Sequence, residues 1–294
     1  MFIIITNLSS AMAGGPAALL SDGSMKEIKR YWHSLCCFWS SSIAAEFEYP
    51  LNAWVELLSV LGNLAGSIFV LKLLFGNGVA LGGWSWNGSL IVLGLYTILD
   101  GFTTCVLQPN LSRIVNHIQT GTLDYVLLKP IDSQFWLSTR TVSPWGLPGI
   151  IAGFCLICWA LFKPSSSISY GLPSSGALLL AAALLIASLA ILYSLWFVLA
   201  ALSIWFIKVW NATEVLRYTL VAGRYPVSAY PPALRLIFTF VLPVAFLTTI
   251  PAEALLGKSS SIWAIAALGV AGICLTGSRL LWNYAQRFYT SASS

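Results

Sequence analysis

The chain has 294 residues, of which 58% are hydrophobic and only 9% are charged. Soluble domains carry about 25% charged residues, so this composition excludes a globule covered by solvated side chains and indicates a protein that mostly faces lipid. The formal net charge is +5. The basic residues are scattered singly, which excludes the clustered basic patch of a nucleic-acid-binding protein.

Residues 1–24 do not share the pattern of the rest. The apolar start at residues 2–5 is too short for the core of a signal peptide, and no basic residue precedes it. This segment is predicted to be a disordered leader, or part of an over-long gene model whose real start is Met25.

Residues 25–50 have the pattern of an amphipathic helix. Apolar side chains recur at three- and four-residue steps, a spacing that puts them on one helix face, at Trp32, Leu35, Trp39, Ile43 and Phe47. Large aromatic side chains favour the lipid headgroup region. The helix is therefore predicted to lie in the membrane interface, with a plain cytoplasmic helix as the alternative.

Residues 51–294 contain six apolar stretches near or above the roughly 20 residues that a helix needs to cross a bilayer. They cover residues 51–75, 88–107, 144–161, 176–207, 236–256 and 262–282. Backbone groups in lipid must be paired within their own segment, so runs of this length are helices. The fourth stretch is too long for one perpendicular crossing and is predicted to tilt or to continue toward Leu216.

The basic residues predict the orientation of these helices. With six crossings and an internal N-terminus, twelve Lys and Arg residues fall on the cytoplasmic side and three fall on the far side, namely Lys72, Lys163 and Lys258. This is a strong positive-inside bias. The predicted fold is an all-α integral membrane protein with six transmembrane helices and both termini cytoplasmic.

The sequence lacks the motifs of an enzyme or a metalloprotein. It has no Gly-rich nucleotide-binding loop and no nucleophile elbow, and its two histidines have no suitably spaced carboxylates. No catalytic residue, metal site or bound cofactor is predicted for this chain. Any chemistry that drives it must come from a partner.

Two acidic residues fall within predicted spans, where charges are costly and often functional. Asp100 lies in the middle of the second span, and Glu56 lies about one turn inside the first. Either residue lines a substrate path, where a carboxylate favours a cationic or hydrogen-bonding cargo, or is held by a Ser, Thr or Asn of a neighbouring helix. The second interpretation is favoured for Glu56, near the cytoplasmic interface.

The longest polar interval, residues 108–143, is predicted to carry a docking element for a soluble partner. A short helix over residues 111–120 has an apolar face formed by Leu111, Ile114, Val115 and Ile118. Gly121 suits the C-cap of this helix, and Lys129–Pro130 breaks the chain after it.

Several strings in the sequence match a known family. Residues 118–130 read IQTGTLDYVLLKP, residues 242–252 read LPVAFLTTIPA, and the chain ends in YTSASS. Glu48-Tyr49-Pro50 and Arg224-Tyr225-Pro226 fit the same pattern. In these motifs, from about residue 46 to the end, the chain resembles a bacterial branch of the type-2 ABC exporter permeases.

This resemblance implies an exporter in the bacterial inner membrane, built from two six-helix permease subunits and two ABC ATPase subunits that bind ATP and Mg²⁺. An elbow helix would precede the first span, and the loop between spans two and three would couple to the ATPase. Its candidate coupling residues are Arg113, His117, Ile118, Gln119, Gly121, Asp124, Lys129 and Pro130. The cargo would be an amphiphilic or hydrophobic compound, with a cationic one as a special case.

One departure from that family and two other functions stay open. Many such permeases have a re-entrant hairpin between the last two spans, whereas only residues 257–261 separate them here; Pro251 and Glu253 could mark a reduced version. A secondary transporter would show internal repeats, and a membrane assembly or scaffold protein would need neither a mid-span carboxylate nor a docking loop.

Overall fold

The computed structural model describes residues 22–48, 50–76, 81–162, 173–206, 216–218 and 220–289, and the regular secondary structure in those ranges is helical. By length and apolar composition, five helical stretches can cross a membrane, and a bent pair of helices adds a sixth if it is one span. The predicted all-α membrane fold is therefore confirmed. The orientation of the termini stays a prediction.

Eleven α-helices are labelled here in chain order within the described residues. They are α1 (Asp22–Glu46), α2 (Pro50–Gly76), α3 (Trp86–Phe102), α4 (Gln108–Gln119), α5 (Leu123–Leu127), α6 (Ser133–Thr139), α7 (Leu147–Phe162), α8 (Ser175–Leu202), α9 (Pro232–Leu236), α10 (Ile250–Leu255) and α11 (Ser261–Ala285).

Two predictions about segment ends fall partly outside these ranges. Residues 1–21 are outside the described part, so the predicted leader stays a prediction, and the helix that follows it begins at Asp22. Helix α8 ends at Leu202, and the predicted continuation toward Leu216 runs through residues 207–215, which are also outside. At 1.5 Å per residue, the 28 residues of α8 exceed a hydrocarbon core of about 30 Å, so α8 can tilt.

The second span and the predicted loop helix form one continuous helix. Helix α3 passes through a π-helical turn at Thr103–Leu107 directly into α4, whereas the sequence predicted a separate short helix. Pro109 has no N–H, which leaves the carbonyl of Cys105 without its helical donor. The N–H of Ser143 donates to that carbonyl at 2.9 Å, so the helix continues through the proline.

Helices α3 and α7 pack closely through glycines. A Cβ atom at Gly153 would lie 2.6 Å from the Gly94 carbonyl oxygen, and one at Gly101 would lie 2.7 Å from the Gly146 carbonyl oxygen. In membranes, where lipid is as apolar as the side chains, close backbone approach between small residues is a main source of helix association.

Replacing Gly153 with Leu is therefore expected to destabilise the protein by about 1–3 kcal/mol, the usual cost of overpacking. The matched control is Gly272→Leu, because Gly272 lies within α11 and a Cβ atom there would have no neighbour within 4 Å. Thermal unfolding in detergent should show a lower midpoint for the first variant only. Equal midpoints for both variants would contradict this packing.

The fifth span is broken at a proline. Segments Pro232–Val241 and Ala245–Leu255 meet at an angle of 79°. Leu242, which precedes Pro243, has extended backbone angles of φ −117° and ψ 99°, as expected because a proline disfavours helical geometry in the residue before it. Pro251 lies inside the second segment, Ala245–Leu255, which continues through it as one helical segment, so the bend is at Pro243.

The two halves of this span differ in burial. No residue of α9 or of the following π-helical turn is buried, whereas most of Ala245–Leu255 is buried against α8. The buried Ser188 of α8 donates its hydroxyl to the Phe246 carbonyl at 2.9 Å. This hydrogen bond helps to fix the second segment, Ala245–Leu255, to α8. The first segment, Pro232–Val241, is exposed.

Candidate functional site

A polar cavity lies between α2, α3 and the chain that follows α8. It contains about 580 Å³ of empty space, part of it continuous with the surroundings. Its polar lining is contributed by Glu56, Ser59, Asn63, Ser67, Tyr96, Thr97, Asp100, Thr104, Arg217 and Arg224. Polar groups among apolar spans are costly, so a cavity with this lining is a candidate functional site.

Helix α2 provides a polar stripe along one wall of the cavity. Glu56, Ser59, Asn63 and Ser67 are three or four residues apart, which places them on one helix face. The Asn63 side-chain oxygen accepts a hydrogen bond from the Arg224 guanidinium at 3.2 Å. The Ser67 hydroxyl donates to the backbone carbonyl of Asn63 at 2.8 Å, so it needs no partner from another helix.

Arg224 joins the two sides of the cavity. It ends a short 3₁₀ turn at Val221–Arg224, and its guanidinium carbon lies 5.1 Å from the centre of the Tyr96 ring on α3. A guanidinium at this distance over an aromatic face is attracted by the ring quadrupole. Arg224 belongs to one of the family-like motifs, but its position in the cavity could not be predicted from the sequence. The loop that carries it is 161 residues from Asn63 along the chain.

The structure brings the two predicted acidic residues into this one cavity. Both Glu56 and Asp100 line it, and Arg217 and Arg224 lie close enough to interact electrostatically with Asp100. The Asp100 side chain is exposed to the cavity. Within the described residues, no Ser, Thr or Asn side chain donates a hydrogen bond to it, so its surroundings there do not match the interpretation of a carboxylate held by a neighbouring helix.

The apolar face of the predicted docking helix is turned inward. Leu111 and Ile114 have no exposed surface and Val115 is 2% exposed, while Ile118 packs half-buried against the same core. This face holds α4 to the rest of the protein. It is not available to a partner.

The most exposed apolar side chains of the loop are Tyr125 and Leu128, at 71% and 82% exposure, while Leu127 between them is 37% exposed. In the short helix α5, Leu123 and Val126 are buried, and this i, i+3 pair turns the opposite side outward. Tyr125 and Leu128 were not predicted as docking residues, because the longer apolar stripe of α4 is the stronger pattern in this part of the sequence. The spacing of Leu123 and Val126 was the signal that could have identified them.

The backbone at the end of α4 has the geometry expected of the predicted cap. Gly121 has φ +69°, the left-handed conformation that glycine adopts without strain after a helix. His117 Nδ1 lies 2.8 Å from the Thr122 hydroxyl. Together these contacts turn the chain from α4 into α5.

Residues 108–143, which contain α4, α5 and α6, are called the loop unit. The other predicted loop residues lie at its surface. Gln119, Lys129 and Pro130 are exposed, and Asp124 is half-buried. Burial and the neighbouring Asp124 carboxylate raise the pKa of the Tyr289 hydroxyl, so this hydroxyl stays protonated at neutral pH. Asp124 of the string at residues 118–130 therefore lies near Tyr289, the first residue of the string that ends the sequence.

Helix α6 connects the loop to the sixth span through polar contacts. Arg279 of α11 forms an ion pair with Asp132, which also caps α6 by accepting from the Phe135 N–H at 2.9 Å. A second guanidinium nitrogen of Arg279 lies 3.1 Å from the Gln134 side-chain oxygen. The Tyr193 hydroxyl of α8 bonds Gln134 and Ser138 at 3.0 and 2.8 Å, so α6 is held to two spans.

The described residues contain no group of three or more His, Cys, Asp or Glu side chains that could hold a metal ion. A chain of long apolar helices around a polar cavity, with an exposed loop unit fixed to two of its spans, defines a multi-pass membrane protein of the transporter class. A family model described as ABC-2 family transporter protein matches residues 61–293. The chain belongs to this family and is an ABC transporter permease.

Members of this family are membrane transport subunits, which implies an ABC ATPase as partner. The match begins within α2 and includes the cavity residues from Asn63 onward and the whole loop unit. No curated protein matches the chain.

Proposed function

We propose that this chain is the membrane-spanning subunit of an ATP-driven exporter in a bacterial cell membrane. The observation that carries the proposal is the polar cavity between α2 and α3, which lies within otherwise apolar helices. ATP and Mg²⁺ are bound by the separate ATPase subunit. The cargo leaves the cytoplasm through a path that includes this cavity.

The charges of the cavity bear on its cargo. Glu56 and Asp100 favour a cationic group, and Arg217 and Arg224 favour an anionic or hydrogen-bond-accepting group. An amphiphile whose polar head offers both kinds of group satisfies both pairs, and its apolar part suits the lipid-facing helices. A purely cationic compound satisfies only the carboxylates.

The open side of the cavity supports a second permease subunit as partner. Helix α2 exposes Ser59, Gly62, Asn63 and Gly66 there, and only Ser67 and Leu71 of its described side chains are buried. Small residues on a transmembrane helix let another helix approach closely. A second copy of this chain, or a related permease, closes the cavity along this face.

The two competing functions have less support. Secondary transporters usually carry paired broken helices in two repeats, and one bent helix pair is found within the described residues. An assembly or scaffold protein has no use for a mid-span carboxylate such as Asp100. Membership of the transporter family favours the permease over both.

Asp100→Asn is expected to lower transport per assembled complex by at least about tenfold, because loss of a charge-assisted hydrogen bond to cargo costs about 1.5–3 kcal/mol. Transport is measured in vesicles that contain the permease and its ATPase, with each rate divided by the amount of complex. Glu253→Gln is the matched control, since Glu253 is a half-buried carboxylate on α10 outside this cavity. Equal transport by wild type and Asp100→Asn complexes would remove Asp100 from the path.

A further inference from the structure

A second and larger cavity lies at the other side of the loop unit, between α1, α4 and α6. It contains about 1150 Å³ of empty space, part of it continuous with the surroundings. Three cationic side chains line it, Arg113 from α4, Lys129 from the loop and Arg140 after α6. It shares no lining residue with the cavity proposed for cargo.

The protein holds each of these cations in place through an uncharged group. The Lys129 ammonium lies 4.2 Å from the centre of the Trp136 ring, and the Arg140 guanidinium carbon lies 4.9 Å from the centre of the Phe38 ring. Arg113 donates to the Thr141 hydroxyl at 3.0 Å. These contacts orient the side chains but leave their charge uncompensated.

The carboxylates of the cavity do not balance its cations. Within the described part of the chain, none of the three cations forms an ion pair with Asp or Glu. The one acidic residue in the lining is Glu46, whose carboxylate accepts a hydrogen bond from the Trp145 indole at 2.7 Å. Three oriented cations against one carboxylate leave an excess of two positive charges in a concave site, which favours an anion with several acceptor oxygens.

The walls of the cavity indicate where that anion comes from. Helix α1 forms one wall, and Trp32 and Trp39 on this helix are exposed at 67% and 38%, as is Phe47 directly after it at 61%. Exposed aromatic side chains are expected of a helix that lies among lipid headgroups. Glu46 at the end of α1 contacts Trp145 in the turn that leads into the apolar helix α7. The cavity therefore lies at the level where a transmembrane helix begins.

We propose that this cavity binds the phosphate headgroup of an anionic glycerophospholipid. Its volume exceeds that of a phosphate ion and leaves room for the glycerol portion, while the acyl chains follow α1 and α7 into the bilayer. Basic pockets at the cytoplasmic side of membrane helices are a common way to bind such headgroups. The bound headgroup contacts Arg113 of α4 and, on either side of α6, Lys129 and Arg140, while α1 forms the facing wall.

The test is lipid binding by the purified full-length chain, measured by native mass spectrometry during titration with phosphatidylglycerol or phosphatidylcholine. The test variant carries Arg113→Gln, Lys129→Gln and Arg140→Gln. The control carries Lys29→Gln, Arg30→Gln and Arg287→Gln, which removes three exposed cations outside the cavity. Gel filtration and circular dichroism check that both are folded.

Phosphatidylglycerol is expected to bind more tightly than phosphatidylcholine. Each lost cation should weaken phosphatidylglycerol binding about fivefold, so the test variant should lose well over tenfold. The control should lose less than twofold. Equal losses in both variants would overturn the proposal in favour of diffuse charge attraction, and equal binding of the two lipids would also overturn it.

Two further measurements test the proposal, one with a single variant and one with inorganic phosphate. If the triple variant does not fold, Lys129→Gln alone replaces it, because Lys129 is exposed; unchanged phosphatidylglycerol binding by this variant would overturn the proposal. Thermal unfolding is also measured with inorganic phosphate. Stabilisation by phosphate equal to that by phosphatidylglycerol would assign the cavity to a soluble anion and overturn the lipid assignment.

Discussion

Replacing Tyr125 and Leu128 with Ala is expected to weaken recovery of the ATPase with the permease by about 30-fold or more. These two side chains are the most exposed apolar residues of the loop, and truncation of such an anchor at the centre of an interface costs about 2–4 kcal/mol. Co-purification from detergent-solubilised membranes measures the loss. ATP hydrolysis by the complex should fall in parallel.

Tyr218→Ala is the matched control for this experiment. Tyr218 is 73% exposed, close to the 71% of Tyr125, and lies outside the loop. Because Tyr125 and Leu128 are themselves largely exposed, the double variant should insert and unfold like wild type. Full ATPase recovery and transport by the double variant would show that the loop only connects two spans.

Ile118→Lys is expected to give a different result. Ile118 packs against the core of the protein, so a lysine there should destabilise the fold of α4 as well as any docking. A variant at Ile118 therefore tests the internal packing of the loop unit. The variants at Tyr125 and Leu128 test its outer surface.

Breaking the ion pair between Asp132 and Arg279 is expected to uncouple ATP hydrolysis from transport. The pair fixes α6 to the sixth span, so a movement of the loop unit would reach α11 through it. With Asp132→Asn or Arg279→Gln, the complex should still assemble and hydrolyse ATP, while transport per ATP falls several-fold. Vesicles that contain the permease and its ATPase allow both rates to be measured together.

The stability cost should be about 1–2 kcal/mol for either single variant. A fully buried pair costs about 3–5 kcal/mol when one partner is removed, but Arg279 is 38% exposed, and water screens its charge. A double-mutant cycle with Asp132→Asn and Arg279→Gln should show an interaction of at least about 0.5 kcal/mol. Arg287→Gln is the control, because Arg287 follows the same helix and is exposed.

A coupling energy near zero would mean that α6 is held by its other contacts. The Ser133 hydroxyl accepts hydrogen bonds from the Trp282 indole and the Gln286 amide at 3.0 and 2.9 Å. In that case, loss of the ion pair should leave transport per ATP unchanged. The result would assign the connection to Ser133 and its partners.

Much of the fold follows from the sequence because lipid leaves the backbone few choices. An apolar run longer than about 18 residues must pair its own N–H and C=O groups, which makes it a helix. The pairing requirement predicts α2, α7 and α11 to within a few residues. It also predicts that α3 and α8 are helices, but not that α3 continues into α4. It also predicts the fifth span, and Pro243 in that span marks the observed bend.

The sequence also identified the acidic residues of the cavity, since a carboxylate within an apolar run is conspicuous by itself. It could not identify Arg217 and Arg224 as their neighbours. These arginines lie in a polar segment where a basic residue is unremarkable, and only the tertiary structure turns them toward Asp100. The cavity therefore carries both signs of charge, which the sequence analysis did not predict.

Local sequence patterns determined which segments are helices and which residues are chemically unusual, because both depend on neighbours within a few positions. Contacts between distant segments were decided only by the tertiary structure. Ser143 supplies the hydrogen bond that lets α3 continue through Pro109 into α4, and Asp132 meets Arg279 across 147 residues. Such contacts depend on how helices pack against each other, and that packing sets which side of the loop faces inward.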